Sequence, residues 1–91
     1  MRESLIEAYL AKRIKDRQGW TLKLFSFSVK GLPDRMVLYK GNVYFVELKA
    51  LGKKPSKVQL YIHKKLGRLG FNVFVIDSKE GVDEFMEQWI L

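Results

Sequence analysis

Residues 31–50 read GLPDRMVLYKGNVYFVELKA, two apolar stretches joined through a Gly-Asn pair. Their composition predicts a β-hairpin with Gly41-Asn42 as its two-residue connection. Met36, Val37 and Leu38 in the first strand, and Tyr44, Phe45, Val46 and Leu48 in the second, put apolar side chains on both faces. Strands of that kind are expected inside a sheet, covered on each side. Two acids interrupt the pattern: Asp34 near the start of the first strand and Glu47 near the end of the second. Lys49 follows two residues later. Acids buried without partners are costly, so their presence here asks for a reason.

The turn supplies the geometry. With Gly41-Asn42 as the loop, Lys40 faces Val43, which sets Asp34 opposite Lys49 and diagonal to Glu47. With Lys40-Gly41 as the loop the pairing shifts, yet all three residues still share one face. Side chains alternate along a strand and cross-strand partners point the same way. Two carboxylates on one face are hard oxygen donors of the kind Mg²⁺ or Mn²⁺ takes. Such an ion polarises a phosphoryl oxygen and lowers the pKa of a bound water. The Lys49 ammonium beside it can stabilise charge developing on phosphate. Metal-dependent phosphodiester hydrolysis is therefore expected. The competing reading is an E-x-K pair on a solvated strand face, with Asp34 an ordinary turn residue after Pro33.

The rest of the chain frames this hairpin. At 91 residues it has the length of one domain with one core, and a core this small leaves a thin stability margin that a second copy could remedy. It has no cysteine and one histidine, which excludes disulfides, thiolate chemistry and a multi-His zinc cage. No apolar run approaches the roughly 20 residues that cross a membrane. MRESLIEAYL lacks a signal-peptide pattern, so an intracellular, cytoplasmic protein with no membrane partner is expected. The net charge is +7, and between Arg17 and Gly70 the only acids are Asp34 and Glu47. A basic body of this kind attracts a polyanion, most commonly nucleic acid, although a merely lysine-rich soluble surface is the alternative.

Helical spacing of Leu5, Ile6, Tyr9, Leu10 and Ile14 predicts a helix over 3–16. A strand is expected over 20–27 and a loop over 28–32. After a basic loop at 50–55, Ser56 and Gln59 form an S-x-x-Q capping box that opens a helix reaching about Leu69, with Val58, Leu60, Ile62, Leu66 and Leu69 available for packing. FNVFVI (71–76) is a short buried strand, and Val82, Phe85, Met86, Trp89 and Ile90 line a closing helix. The order α-β-β-β-α-β-α implies an α/β fold, a mixed sheet with helices on both faces.

Gly31-Leu32-Pro33-Asp34, Val46-Glu47-Leu48-Lys49-Ala50 and Gln59 together resemble the VRR-NUC (virus-type replication-repair nuclease) branch of the PD-(D/E)XK nucleases. The resemblance extends through the first helix, the GKKPS loop and the LGFNVFVIDS strand, so residues 1–91 read as one VRR-NUC domain with a restriction-endonuclease-like core. It implies that Asp34 and Glu47 bind Mg²⁺ or Mn²⁺, helped by the Leu48 carbonyl, that Lys49 is the catalytic lysine, and that Gln59 is the motif glutamine at the site's edge. A carboxylate from the first helix is also implied. Glu3 and Glu7 are both candidates, with E-x-x-I-x-x-x-L favouring Glu3. Either could instead be a helix-start acid favoured by the dipole. His63, one turn after Gln59, stands where some related nucleases carry tyrosine; it reads as a surface histidine, with a base or DNA-contact role as the alternative.

Lys53, Lys54 and Lys57 flank the acid-bearing end of the hairpin and are candidate phosphate contacts, extended by Lys64, Lys65 and Arg68. Arg35 should point away from Asp34. The resemblance implies a phage-type homodimer cutting branched DNA such as four-way (Holliday) junctions. The rival readings are a nuclease on flaps, ends or nicked DNA, and a non-catalytic basic nucleic-acid-binding module.

Overall fold

Ile6, Leu10 and Ile14 recur at helical spacing and are fully buried, and they seat α1 (Glu3–Asp16) on the sheet in the computed structural model, which describes all of Met1–Leu91. The sheet has four strands in the order β1 (Trp20–Lys23), β2 (Arg35–Tyr39), β3 (Asn42–Leu48) and β4 (Asn72–Ile76). The first three form an antiparallel meander; β4 lies parallel to β3 and is reached through α2 (Lys57–Arg68). The chain ends with α3 (Lys79–Trp89). The element order is the one expected, and β2 and β3, apolar on both faces, are the two internal strands.

Alternation divides the sheet into two working faces. Val37 and Tyr39 of β2, Tyr44, Val46 and Leu48 of β3, and Ile76 of β4 join Ile6, Leu10, Ile14, Val82, Phe85, Met86 and Ile90 in one buried cluster. Both α1 and α3 therefore cover this face. They are tied together where Tyr9 Oη donates to Asp83 Oδ1 at 2.6 Å, Arg13 pairs with the same carboxylate, and Arg17 Nη1 donates to the Ile90 carbonyl at 2.8 Å. Phe45 and Glu47, which alternate with these residues along β3, face the side that α2 covers.

Three expectations are corrected. The hairpin loop is Lys40-Gly41, because Tyr39 pairs with Asn42. Lys40 and Gly41 have φ of 47° and 79°, the left-handed pair a type I′ turn needs, whereas a Gly41-Asn42 loop would require Asn42 to leave the extended conformation in which it opens β3. The first strand stops at Lys23 rather than Phe27; beyond it the chain leaves the ladder in a long loop to Asp34. Finally, α2 contains no buried residue: Val58, Leu60 and Leu69 stay exposed, and only its Gln59, Ile62, His63 and Leu66 side turns toward the sheet.

The core face carries the stability. Leu10→Ala, at a fully buried position, is expected to lower the unfolding free energy by about 2–5 kcal/mol in urea denaturation followed by circular dichroism. An unchanged midpoint would mean that α1 does not seat on the sheet as described.

Candidate active site

The register that places Tyr39 opposite Asn42 and Arg35 opposite Val46 carries on by one step to align Asp34 with Glu47. The two acids are thus direct neighbours, not diagonal ones. Asp34 precedes β2 and is held by two hydrogen bonds: its Oδ2 accepts from the Leu48 amide at 2.8 Å, and its carbonyl accepts from the Leu24 amide at 2.9 Å. Residue 31, where this segment passes α2, has to be glycine. Its φ is +85°, and a Cβ there would stand 2.9 Å from the Val58 carbonyl oxygen.

Glu47 lies at the centre, with a side chain only 1% exposed. Gln59 Nε2 donates to its Oε2 at 2.9 Å, and Lys49 Nζ stands 3.5 Å from the same oxygen. Its other oxygen, Oε1, is buried without a hydrogen-bond partner, with His63 Nε2 3.9 Å away and equally unpartnered. Burial above all, and then the Asp34 carboxylate, push the Glu47 pKa up to about 7, while Lys49 pulls the other way and Glu3 adds a smaller upward push. Burial, followed by the Lys49 charge, lowers the pKa of His63.

Gln59 caps its helix and reaches Glu47 at the same time. Its Oε1 accepts from the Ser56 amide at 2.8 Å and its own amide donates to Ser56 Oγ at 3.2 Å, completing the capping box. With the amide oxygen so engaged, the Nε2 donors are turned to Glu47. His63 is not a surface histidine: its side chain is 11% exposed and faces Glu47 from the next turn of the helix. The spacing of four from Gln59 was the available signal, since residues i and i+4 share a helix face.

The two α1 acids separate. Glu7 Oε2 accepts from Arg35 Nε at 2.7 Å, with Lys23 Nζ at 3.9 Å, so Glu7 is engaged on the α1 face of the sheet and Arg35 points away from Asp34. Glu3, in the first turn of α1, is the one whose charge reaches Glu47.

The basic residues divide as well. Lys53 and Lys54 are exposed in the loop that leaves β3, close in sequence to Lys49. Lys57, Lys64 and Arg68 are exposed and fall on one stripe of α2, more than a quarter turn from Gln59 and His63 by helical geometry, so they are not gathered with the acids. Lys65 lies beside an apolar groove lined by Val29, Leu32, Ile62, Leu66 and Leu69.

This donor set fits a hard divalent cation. Asp34 and Glu47 face each other, and Glu47 Oε1 is a buried acceptor with nothing to accept from. The upward pressure on the Glu47 pKa is what a nearby cation would reverse. No three His, Asp or Glu side chains are gathered as a ready-made cage, but Mg²⁺ commonly takes only one or two carboxylates alongside water and substrate phosphate.

Known proteins resemble this chain in sequence and fold. No family model matches the chain. A relative described as "Putative nuclease p44", from Acyrthosiphon pisum secondary endosymbiont phage 1, is 41% identical over 81 residues, which span 88% of this chain and 87% of the relative. A solved structure described as "VRR_NUC domain" aligns at a TM-score of 0.89 and 34% identity, covering 96% of each chain. The α/β mixed sheet with its three helices thus has the restriction-endonuclease-like architecture of that domain.

Glu47 should make metal-free stability depend on pH. Its folded pKa of about 7 exceeds the unfolded value of 4.5, so the folded state holds the proton more tightly between the two. Its contribution is fully present below about pH 4.5 and is lost as pH rises through about 7. Glu47→Gln is expected to flatten that slope and to raise stability at pH 8 by about 1–3 kcal/mol, read by denaturation in EDTA. Parallel pH profiles for the two proteins would show that Glu47 is not the titrating group.

Proposed function

Since the chain belongs to the VRR-NUC family of nucleases, we propose that residues 1–91 form one nuclease domain that hydrolyses phosphodiester bonds of DNA with Mg²⁺ or Mn²⁺, selecting branched structures such as four-way junctions. The observation that carries this reading is the alignment of Asp34 with a buried Glu47 whose Oε1 has no partner, on the same face as Lys49.

Asp34, Glu47 and the Leu48 carbonyl would hold the ion, with Glu3, whose charge is felt at Glu47, as the carboxylate that α1 would add. A divalent ion bound there supplies Lewis-acid polarisation of the phosphoryl group and eases deprotonation of an attacking water. The protein does the rest by positioning. The Leu48 amide fixes one Asp34 oxygen, and Gln59 fixes one Glu47 oxygen, which leaves the second oxygen of each carboxylate free to ligate. Lys49 sits in a half-buried site where its ammonium stabilises negative charge on the transition-state phosphate more strongly than it would in water. His63 stands 3.9 Å from Glu47 Oε1, and burial and then the Lys49 charge favour its neutral form. Lys53 and Lys54, on the loop beside the site, contact the phosphate backbone. Lys57, Lys64, Lys65 and Arg68 extend the basic field along α2, attracting the strand without reading its sequence.

Branched DNA is the substrate best suited to a two-fold pair of such sites, because a symmetric dimer presents two active centres to symmetric strands. Pairing with a second copy is supported by Val58 and Leu60 of α2 and Leu69 just beyond it, apolar side chains left about half exposed or more in a single chain.

Incubation with linear duplex, flap and four-way-junction DNA tests the reading. Cutting is expected with Mg²⁺ or Mn²⁺, strongest on the junction, and absent in EDTA. Asp34→Ala, Glu47→Ala and Lys49→Ala should each lose at least about 100-fold in rate. No metal-dependent cutting of any substrate would leave only a basic binding module, and equal cutting by the variants would reveal a contaminant. Light scattering should give twice the mass of the chain. A monomer would remove the physical basis for symmetric junction cutting and favour flaps or ends.

A further inference from the structure

The loop between β1 and Asp34 carries two phenylalanines that folding does not explain. Phe25 is 79% exposed and Phe27 is 95% exposed. They touch each other edge to face, with ring centroids 4.8 Å apart, and neither belongs to the core cluster. The loop is nonetheless ordered from within, as Ser26 Oγ accepts from the Ser28 amide at 3.2 Å and the Val29 amide at 3.0 Å. Its two ends meet at the candidate site. The Leu24 amide donates to the Asp34 carbonyl at 2.9 Å, and Gly31 packs against Val58 at the start of α2.

The setting points to a class of ligand. Lys23 precedes the rings and Lys30 follows them, with no acid anywhere between Arg17 and Asp34. A partner that brings a flat apolar face together with negative charge fits this loop, and a nucleobase on its phosphate backbone is such a partner. A second copy of the chain fits less well. A stable protein interface needs roughly 800 Å² on each side. Two aromatic rings of about 150–250 Å² each, separated by serine and flanked by lysines, fall well short.

We infer that Phe25 and Phe27 form an aromatic wedge that stacks on unpaired bases of the DNA held at Asp34 and Glu47, and so select distorted or branched sites over continuous duplex. The inference rests on the nuclease reading above and names the feature of the substrate that this loop recognises. In paired duplex every base face is already stacked on its neighbours, so the rings gain nothing there. At a bulge or junction the exposed base faces cover the rings, and the strand beside them lies next to the acids.

The test is binding in EDTA, where nothing is cut, to a bulged duplex carrying 2-aminopurine as the unpaired base, with continuous duplex as control. The wild-type protein should lower the 2-aminopurine fluorescence. The double variant Phe25→Ala, Phe27→Ala should leave it at the free-DNA level and weaken binding to the bulge by roughly 5- to 150-fold, with duplex affinity changed less than about two-fold. Phe27→Trp should keep the signal and Phe27→Leu should reduce it. Both rings are exposed, so these changes should leave the fold intact. Equal quenching by the double variant, equal loss on bulge and duplex, or full retention by Phe27→Leu would overturn the inference. Loss of dimer mass in the double variant would also overturn it and reassign the loop to a subunit contact. A wild-type protein that quenches through its phenylalanines but cuts no DNA would refute the nuclease reading alone.

Discussion

The antiparallel register of β2 and β3 is the constraint on which the rest of the structure depends. It aligns Asp34 with Glu47 across the hairpin and brings the Leu48 amide to the Asp34 carboxylate at 2.8 Å. The same register decides that Val46 and Leu48 enter the core while Glu47, between them, faces α2. A slip of one residue would bury the acids among α1 and α3 and expose the core residues of β3. Core formation and site formation are therefore one event, enforced by one ladder of hydrogen bonds.

The two faces of the sheet are consequently unequal. One is closed by α1 and α3 over a continuous apolar cluster, locked by Tyr9, Arg13 and Asp83. The other is covered by α2, which buries no residue fully and meets the sheet partly through polar groups, Gln59 and His63. A hydrophobic helix there would stabilise the domain more, but it would displace the donors that hold Glu47. Keeping a carboxylate 1% exposed between Asp34 and an unpartnered His63 costs stability, a pattern common where binding sets the requirement rather than folding. Gln59 reduces the conflict by serving the helix cap and the carboxylate with one amide group.

Much of this was legible in the residues. Alternation with period two puts Glu47 and Lys49 on one face whatever the turn, and any two-residue turn adds Asp34 to it. The apolar periodicity of α1 and α3 and the capping box at Ser56 likewise depend on local chemistry, and they appear where the sequence pattern puts them. Harder to read were residues whose partners lie far away along the chain. Glu3 and Glu7 sit on neighbouring turns of one helix, and only the approach of Arg35 from β2 separates them. His63 looked like a surface residue because its neighbours Lys64 and Lys65 are solvated, whereas its own angle on α2 turns it to Glu47. Lys57, Lys64 and Arg68 share one stripe of α2, and helix rotation turns that stripe away from Gln59 and His63.

What the sequence determined by itself is the set of elements, their order and the face-sharing of Asp34, Glu47 and Lys49, since these follow from side-chain periodicity and turn chemistry within a few residues. Only the tertiary structure decided the Lys40-Gly41 turn and with it the direct opposition of the two acids, the engagement of Glu7 by Arg35, the burial of His63, and the exposure of Phe25 and Phe27. Each of these depends on how separate elements meet. Packing, hydrogen-bond competition and electrostatics between distant residues choose among alternatives that local preference leaves nearly equal.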